Sequence, residues 1–274
     1  MKNILIALSV CGVLAACSAT TQTTSGSDYL ARHGYQSAAA PATAVKSETF
    51  DQALIKAANV EPTLTFPARI GLARISRGSL SSVSGAEAEV WSKAGAELGA
   101  SYGTFVPLSP LVAAAASAEY EQTVNQYEDR AAMVMRQIRL GAARQHLDAV
   151  LVYETYSSSD EKSNLLEIAN LTIIGGFILP SQQVTLEGYG TAMLIDVMSG
   201  YPYGAIEATV PKERHLASAW GWGNDSYATN NAKISLAVTG KLAKETTGMF
   251  KQLRMELAEQ RAKTAEKTKS IAAQ

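Results

Sequence analysis

Both cysteines of this chain, Cys11 and Cys17, lie at its extreme N-terminal end, and no thiol follows Cys17. Everything beyond that point must fold without a disulfide staple, a zinc–thiolate centre or a cysteine nucleophile. Apolar burial and backbone hydrogen bonding have to suffice. At 274 residues and 47% hydrophobic content, one sizeable domain is within reach. A net charge of −1 leaves no basic footprint for nucleic acid.

The cysteines also assign the N-terminus. Met1-Lys2-Asn3 is followed by an almost wholly apolar run over 4–14. A charged start and a short apolar core form a secretory signal, too short for the roughly 20 residues a bilayer span needs. Leu14-Ala15-Ala16-Cys17 resembles the lipobox of bacterial lipoprotein precursors. The chemistry explains the spacing: lipid transfer needs a thiol, and small residues before it suit the lipoprotein peptidase. We expect residues 1–16 to be removed and Cys17 to carry the lipid, palmitate among its acyl chains. Each buried methylene adds roughly 0.8 kcal/mol, so several acyl chains make a stable anchor. Ser18 rather than Asp follows the cysteine. By resemblance to Gram-negative sorting, this implies the outer membrane, with the protein facing the periplasm.

Residues 17–49 are rich in Ser, Thr, Ala and Gln, which predicts a lipidated flexible tether. The folded domain is expected over 50–250, with a charged helical tail over 251–274. Alternation over 67–76 predicts a strand. Ser84-Gly-Ala-Glu87 is a capping-box pattern opening a helix to about Leu98. A short strand over 104–108 then meets Ser109-Pro110, an N-cap with proline at the first helical position. Tyr120, Val124, Tyr127, Ala131, Val134, Ile138 and Ala142 share one helical stripe, predicting a helix that ends near His146. Strands are expected at 148–153, 183–197 and 204–210, with Ser199-Gly200 as a turn. A long C-terminal helix is expected over 230–263. This order predicts an α/β fold, with α+β as the alternative: a single domain in which a mixed β-sheet is packed by amphipathic helices.

Catalytic signatures are scarce. No Gly-x-Ser-x-Gly elbow, His-Glu-x-x-His or glycine-rich phosphate loop occurs. His33, His146 and His215 stand far apart in the chain. Asp196, between Ile195 and Val197, is the carboxylate expected to be most buried; it reads as a cap on the following turn more readily than as a general base. We expect no catalytic residue, no cofactor and no metal. Two aromatic clusters suit partner binding: Tyr201 with Tyr203, and Trp220 with Trp222 in a glycine-rich stretch. The competing expectation is that these rings close the core. The apolar stretch 165–179, interrupted by Gly175-Gly176, either contacts a membrane or partner, or is buried.

Four patterns carry a family resemblance. Pro67-Ala-Arg-Ile-Gly-Leu-Ala-Arg-Ile75, Phe105-Val-Pro-Leu-Ser-Pro110, Asp148-Ala-Val-Leu-Val-Tyr153 and Leu194-Ile-Asp-Val-Met-Ser-Gly-Tyr-Pro-Tyr-Gly204 resemble the rhombotail lipoproteins. More distantly, 148–152 and 195–200 resemble domains of the curli-secretion and penicillin-binding-protein-activator lipoproteins. The resemblance implies a non-enzymatic envelope lipoprotein that binds or scaffolds a periplasmic or outer-membrane protein. The alternatives are a periplasmic enzyme acting on cell-wall material and a subunit of an oligomeric secretion channel.

Overall fold

Two parallel strands frame the molecule. In a computed structural model, β2 (Ala68–Ser76) and β5 (Ala149–Ser157) pair from Ile70↔Ala149 to Ile75↔Glu154. The structure describes residues 19–35, 49–121, 129–157, 186–211 and 224–272. The expected signal segment over 1–16, Cys17, the stretch 165–179, His215, Trp220 and Trp222 lie outside the described residues.

Around the central pair the sheet is mixed. On one side β6 (Leu186–Asp196) pairs antiparallel with β5, and β7 (Pro202–Pro211) antiparallel with β6. The other edge of β2 is shared by β3 (Ser79–Ser81), antiparallel, and β4 (Gly103–Pro107), parallel. A two-residue strand, β1 (Thr20–Thr21), closes the far edge against β7. Seven strands and six helices are therefore seen among the described residues, and the chain has an α/β fold.

Alternation sends neighbouring side chains to opposite faces. Ile70, Leu72, Leu151, Tyr153, Leu194 and Ile206 fill the first face, under α3 (Gly85–Leu98) and the long α6 (Asn224–Ala272). Trp91 of α3 and Leu242, Phe250 and Leu253 of α6 are fully buried against them. Helix α6 can lie this close because β6 turns glycines toward it. A Cβ on Gly190 would come within 2.4 Å of Val238. The second face carries Ala73, Ile75, Val150, Val152 and Ile195, packed under Val134, Ile138 and Ala142 of α5 (Arg130–Arg144). Strands covered on both faces read as unbroken apolar runs, and β5 begins Ala-Val-Leu-Val.

Local signals place the helices. Ser84 and Glu87 form the expected capping box on α3, each accepting from the other's backbone N–H, at 3.3 and 3.2 Å. Ser109 accepts from the Val112 N–H at 3.4 Å at the start of α4 (Pro110–Glu121). The stripe from Tyr120 to Ala142 predicted one continuous helix, and here the structure differs. Asp129 has extended backbone, with φ −59° and ψ 132°, and its carboxylate accepts from the Ala131 N–H, starting a new helix, α5. Helix α5 then packs on α4: a Cβ on Gly141 would lie 2.5 Å from that of Ala113. Along one unbroken helix those residues would stand roughly 40 Å apart.

Two boundaries also shift. The flexible tether expected over 17–49 does not hold for residues 19–35. Thr20–Thr21 joins the sheet, and α1 (Gly26–Arg32) starts on Ser25, whose hydroxyl donates to Glu61 at 3.0 Å. A strand of two threonines carries no hydrophobic signal; its backbone pairing is what orders it. Helix α2 (Phe50–Ala58) follows, with its own capping box from Thr49 and Gln52. At the other end, residues expected in the charged tail belong to the core. Leu253 and Leu257 are buried, and the Arg261 guanidinium donates to the Leu64 carbonyl.

Candidate functional site

The β6–β7 turn is where the aromatic and acidic residues singled out from the sequence meet. Asp196 ends β6 and is 2% exposed. Its Oδ1 accepts from the backbone N–H groups of Met198 and Ser199, at 2.9 and 2.8 Å. Its Oδ2 accepts from the hydroxyls of Thr63 at 2.6 Å and Tyr203 at 2.8 Å. Burial opposes ionisation of this carboxyl, but the bonds from Thr63, Ser199 and Tyr203 outweigh it and hold the group below the usual carboxylate range. A carboxylate so occupied caps its turn and has no lone pair directed at a substrate.

The two tyrosines extend this node toward the N-terminus. The Tyr203 hydroxyl accepts from the Leu64 N–H at 2.6 Å, and Tyr201 donates to the Thr24 carbonyl at 2.8 Å. Burial pushes the Tyr203 hydroxyl well above its ordinary range, and the neighbouring Asp196 charge adds to this. Burial also raises the Tyr201 hydroxyl, to about 12, with help from Glu61 and Glu256. Both rings are buried, 5.1 Å apart, with Tyr203 at 0% exposure. This corrects the partner-binding expectation for Tyr201 and Tyr203: they close the core and hold the N-terminal segment to the sheet. Trp220 and Trp222 lie outside the described residues.

That segment is fastened at several points. Thr20 and Thr21 pair with Ala205 and Gly204, and the Gln22 N–H donates to the Tyr203 carbonyl at 2.9 Å. Thr21 also donates to Glu256 of α6 at 2.9 Å. The N-terminal strand is thus tied to β7, the turn node and the long helix.

The histidines take local roles. His33 follows α1 with its ring 4.6 Å from that of Tyr29. His146 adopts φ 55° just after α5 ends. No group of three or more His, Cys, Asp or Glu side chains able to hold a metal occurs among the described residues. No helix among them is long and apolar enough to cross a membrane.

Sequence reasoning missed a polar row on the second sheet face. Register aligns Glu154 with Thr191 and Thr191 with Glu207 across three strands; Tyr156, Tyr189 and Thr209 form the next row. Glu154, Thr191 and Tyr189 are all buried. The hydroxyl of Thr191 has no hydrogen-bond partner among the described residues. Burial raises the Glu207 carboxyl above its ordinary range. Burial likewise raises Tyr156, aided by the charge of Glu154. The available signal was phase: Glu154 continues the alternation of Val150 and Val152, so it had to enter the same buried face. Comparison with protein-family models, with curated proteins and with solved structures finds no match to this chain.

Proposed function

We propose that this chain is a lipoprotein of the bacterial cell envelope. Cys17 carries the lipid, the outer membrane holds it, and the domain faces the periplasm, where it binds or scaffolds an envelope protein without catalysis. One observation supports the reading above all: Thr20 and Thr21, directly downstream of Cys17, are hydrogen-bonded into the sheet edge. A chain cut before Cys17 would begin at its own sheet, so lipid and domain would be joined as one unit. The buried Asp196, filled by four donors, supports a structural rather than catalytic use of the most conspicuous carboxylate.

The rhombotail resemblance belongs to the same proposal. Its four patterns fall on β2, the β4–α4 junction, β5 and the β6–β7 hairpin. Fractionation of cells expressing Cys17→Ala tests the anchor. The variant should leave the membrane fraction, while the parent chain resists a carbonate wash and takes up labelled palmitate. Retention of the variant after the wash would count against the anchor. Crosslinking in intact cells tests the binding role, with a discrete envelope protein as the expected product. Adducts containing only this chain would turn the reading toward an oligomer.

A further inference from the structure

A groove of about 670 Å³ opens on the first face, at the end of the sheet where β2 and β5 finish. Those strands are parallel neighbours, and both run toward it. Parallel α/β sheets place ligands in the crevice beyond the carboxyl ends of their strands, because the loops and helix starts there converge. The walls come from the ends of β2 and β5, the start of α3 and the first part of α6. A pocket of this volume suits a small molecule of ordinary metabolite size.

The lining is largely apolar in area but carries polar groups and an excess of positive charge. Arg74, Arg77 and Lys233 face one carboxylate, Glu87. Glu87 is already committed. Arg74 Nε lies 3.0 Å from both of its oxygens, and the same carboxylate closes the capping box of α3. Arg74 spends one Nη on Ser81 at 3.1 Å, and its other Nη has no acceptor among the described residues. Arg77 and Lys233 meet no carboxylate among the described residues. Between the cations stand neutral hydrogen-bonding groups, among them Asn231 and the Thr155 and Ser235 hydroxyls, 2.7 Å apart. The α3 terminus is satisfied by its own capping box, so it is not the attraction. What sets this groove apart from an ordinary charged surface is concavity combined with hydroxyls along its lining and cations, Arg77 and Lys233, that form no ion pair with a carboxylate among the described residues.

We propose that this groove binds a small polar ligand bearing an anionic group, a carboxylate or a phosphate, on a hydroxylated body. Arg77 and Lys233 supply charge-assisted bonds to the anion, with the free Nη of Arg74 between them. Thr155, Ser235 and Asn231 exchange hydrogen bonds with the ligand's hydroxyls. The assignment is independent of the lipid anchor, because it concerns the folded domain alone.

Saturation-transfer NMR and calorimetry on the full mature chain test it with three probes: glucose 1-phosphate, galacturonate and glucose. At least one anionic sugar should bind, and neutral glucose should not. Binding of the phosphate alone or the carboxylate alone supports the proposal and names the anion. The double variant Arg77→Ala/Lys233→Ala should weaken binding at least about tenfold. Both side chains are exposed and form no hydrogen bond or ion pair among the described residues, so its melting temperature should match the parent's. Equal binding of glucose, undiminished binding by the double variant, or no binding of either anionic probe would each overturn the site.

Discussion

The two faces of the sheet are built to different rules. The first is apolar from Ile70 and Leu72 across to Leu194 and Ile206, turning polar only at Arg74 and Thr155 near the strand ends. It is also closely approached, with glycines in β6 letting α6 settle onto it. The second starts the same way under α5, then becomes polar where Glu154, Thr191 and Glu207 line up across the strands. Apolar packing stabilises without direction, whereas a buried polar group is unfavourable unless it is paired. The first face therefore holds the domain together. The far part of the second face instead buries polar groups whose contribution depends on how they are paired.

The sharpest way to break the contrast is to empty the first face. Phe250, 1% exposed, holds its ring tilted against Phe66 at 5.9 Å and edge-on to Phe105 at 5.7 Å. Phe250→Ala should cost roughly 3–5 kcal/mol in chemical denaturation. A cost under about 1 kcal/mol would mean that this face is not the main source of stability.

The turn node comes next. Asp196→Ala strands two hydroxyls and two backbone N–H groups, and should cost about 3 kcal/mol. Its carboxyl is held below the usual range in the folded state, so it adds stability above the ordinary carboxylate pKa of about 4. That contribution disappears as pH falls through the lowered value. Asp196→Asn should accordingly flatten the acid limb of a stability–pH curve; an unchanged limb would assign acid sensitivity elsewhere.

On the polar row the expected signs reverse. Thr191 is 1% exposed and its hydroxyl has no partner among the described residues, so the near-isosteric Thr191→Val should be neutral or stabilising by up to about 1 kcal/mol. A clear loss of melting temperature would show that the hydroxyl is engaged. The smallest effect concerns Glu207. Burial raises its carboxyl, so its folded-state benefit is present below its unfolded pKa and is lost as pH rises through the raised value. Glu207→Gln should slightly raise stability at neutral pH relative to acid. A drop at neutral pH would mean that its charge is used.

The same contrast separates what the sequence makes legible from what it hides. The capping box at Ser84 and Glu87, the Ser109-Pro110 start and the apolar run of β5 are local, each written within a few residues, and each is found where the sequence puts it. The break before α5 is hidden because the apolar stripe keeps its phase across it, and only the Asp129 cap marks the restart. Strand β1 is hidden because its ordering comes from the backbone of β7, far along the chain. Tyr201 and Tyr203 read equally well as surface anchors until Thr24 and Leu64 are brought to their hydroxyls. The polar row is an alignment of register across three strands, which periodicity along any one of them does not reveal.

Strand β1 also decides how such a molecule would search for a partner. A coil of some thirty residues would let the domain wander roughly 30 Å from its anchor. Three residues from Cys17 to Thr20 span at most about 10 Å. With lipid on Cys17, the domain would skim the bilayer in two dimensions and present nearly the same flank toward the lipid at all times. Its orientation would then be fixed before any encounter. Partners embedded in the same leaflet would meet it at high effective concentration, and those deeper in the periplasm would have to come to it.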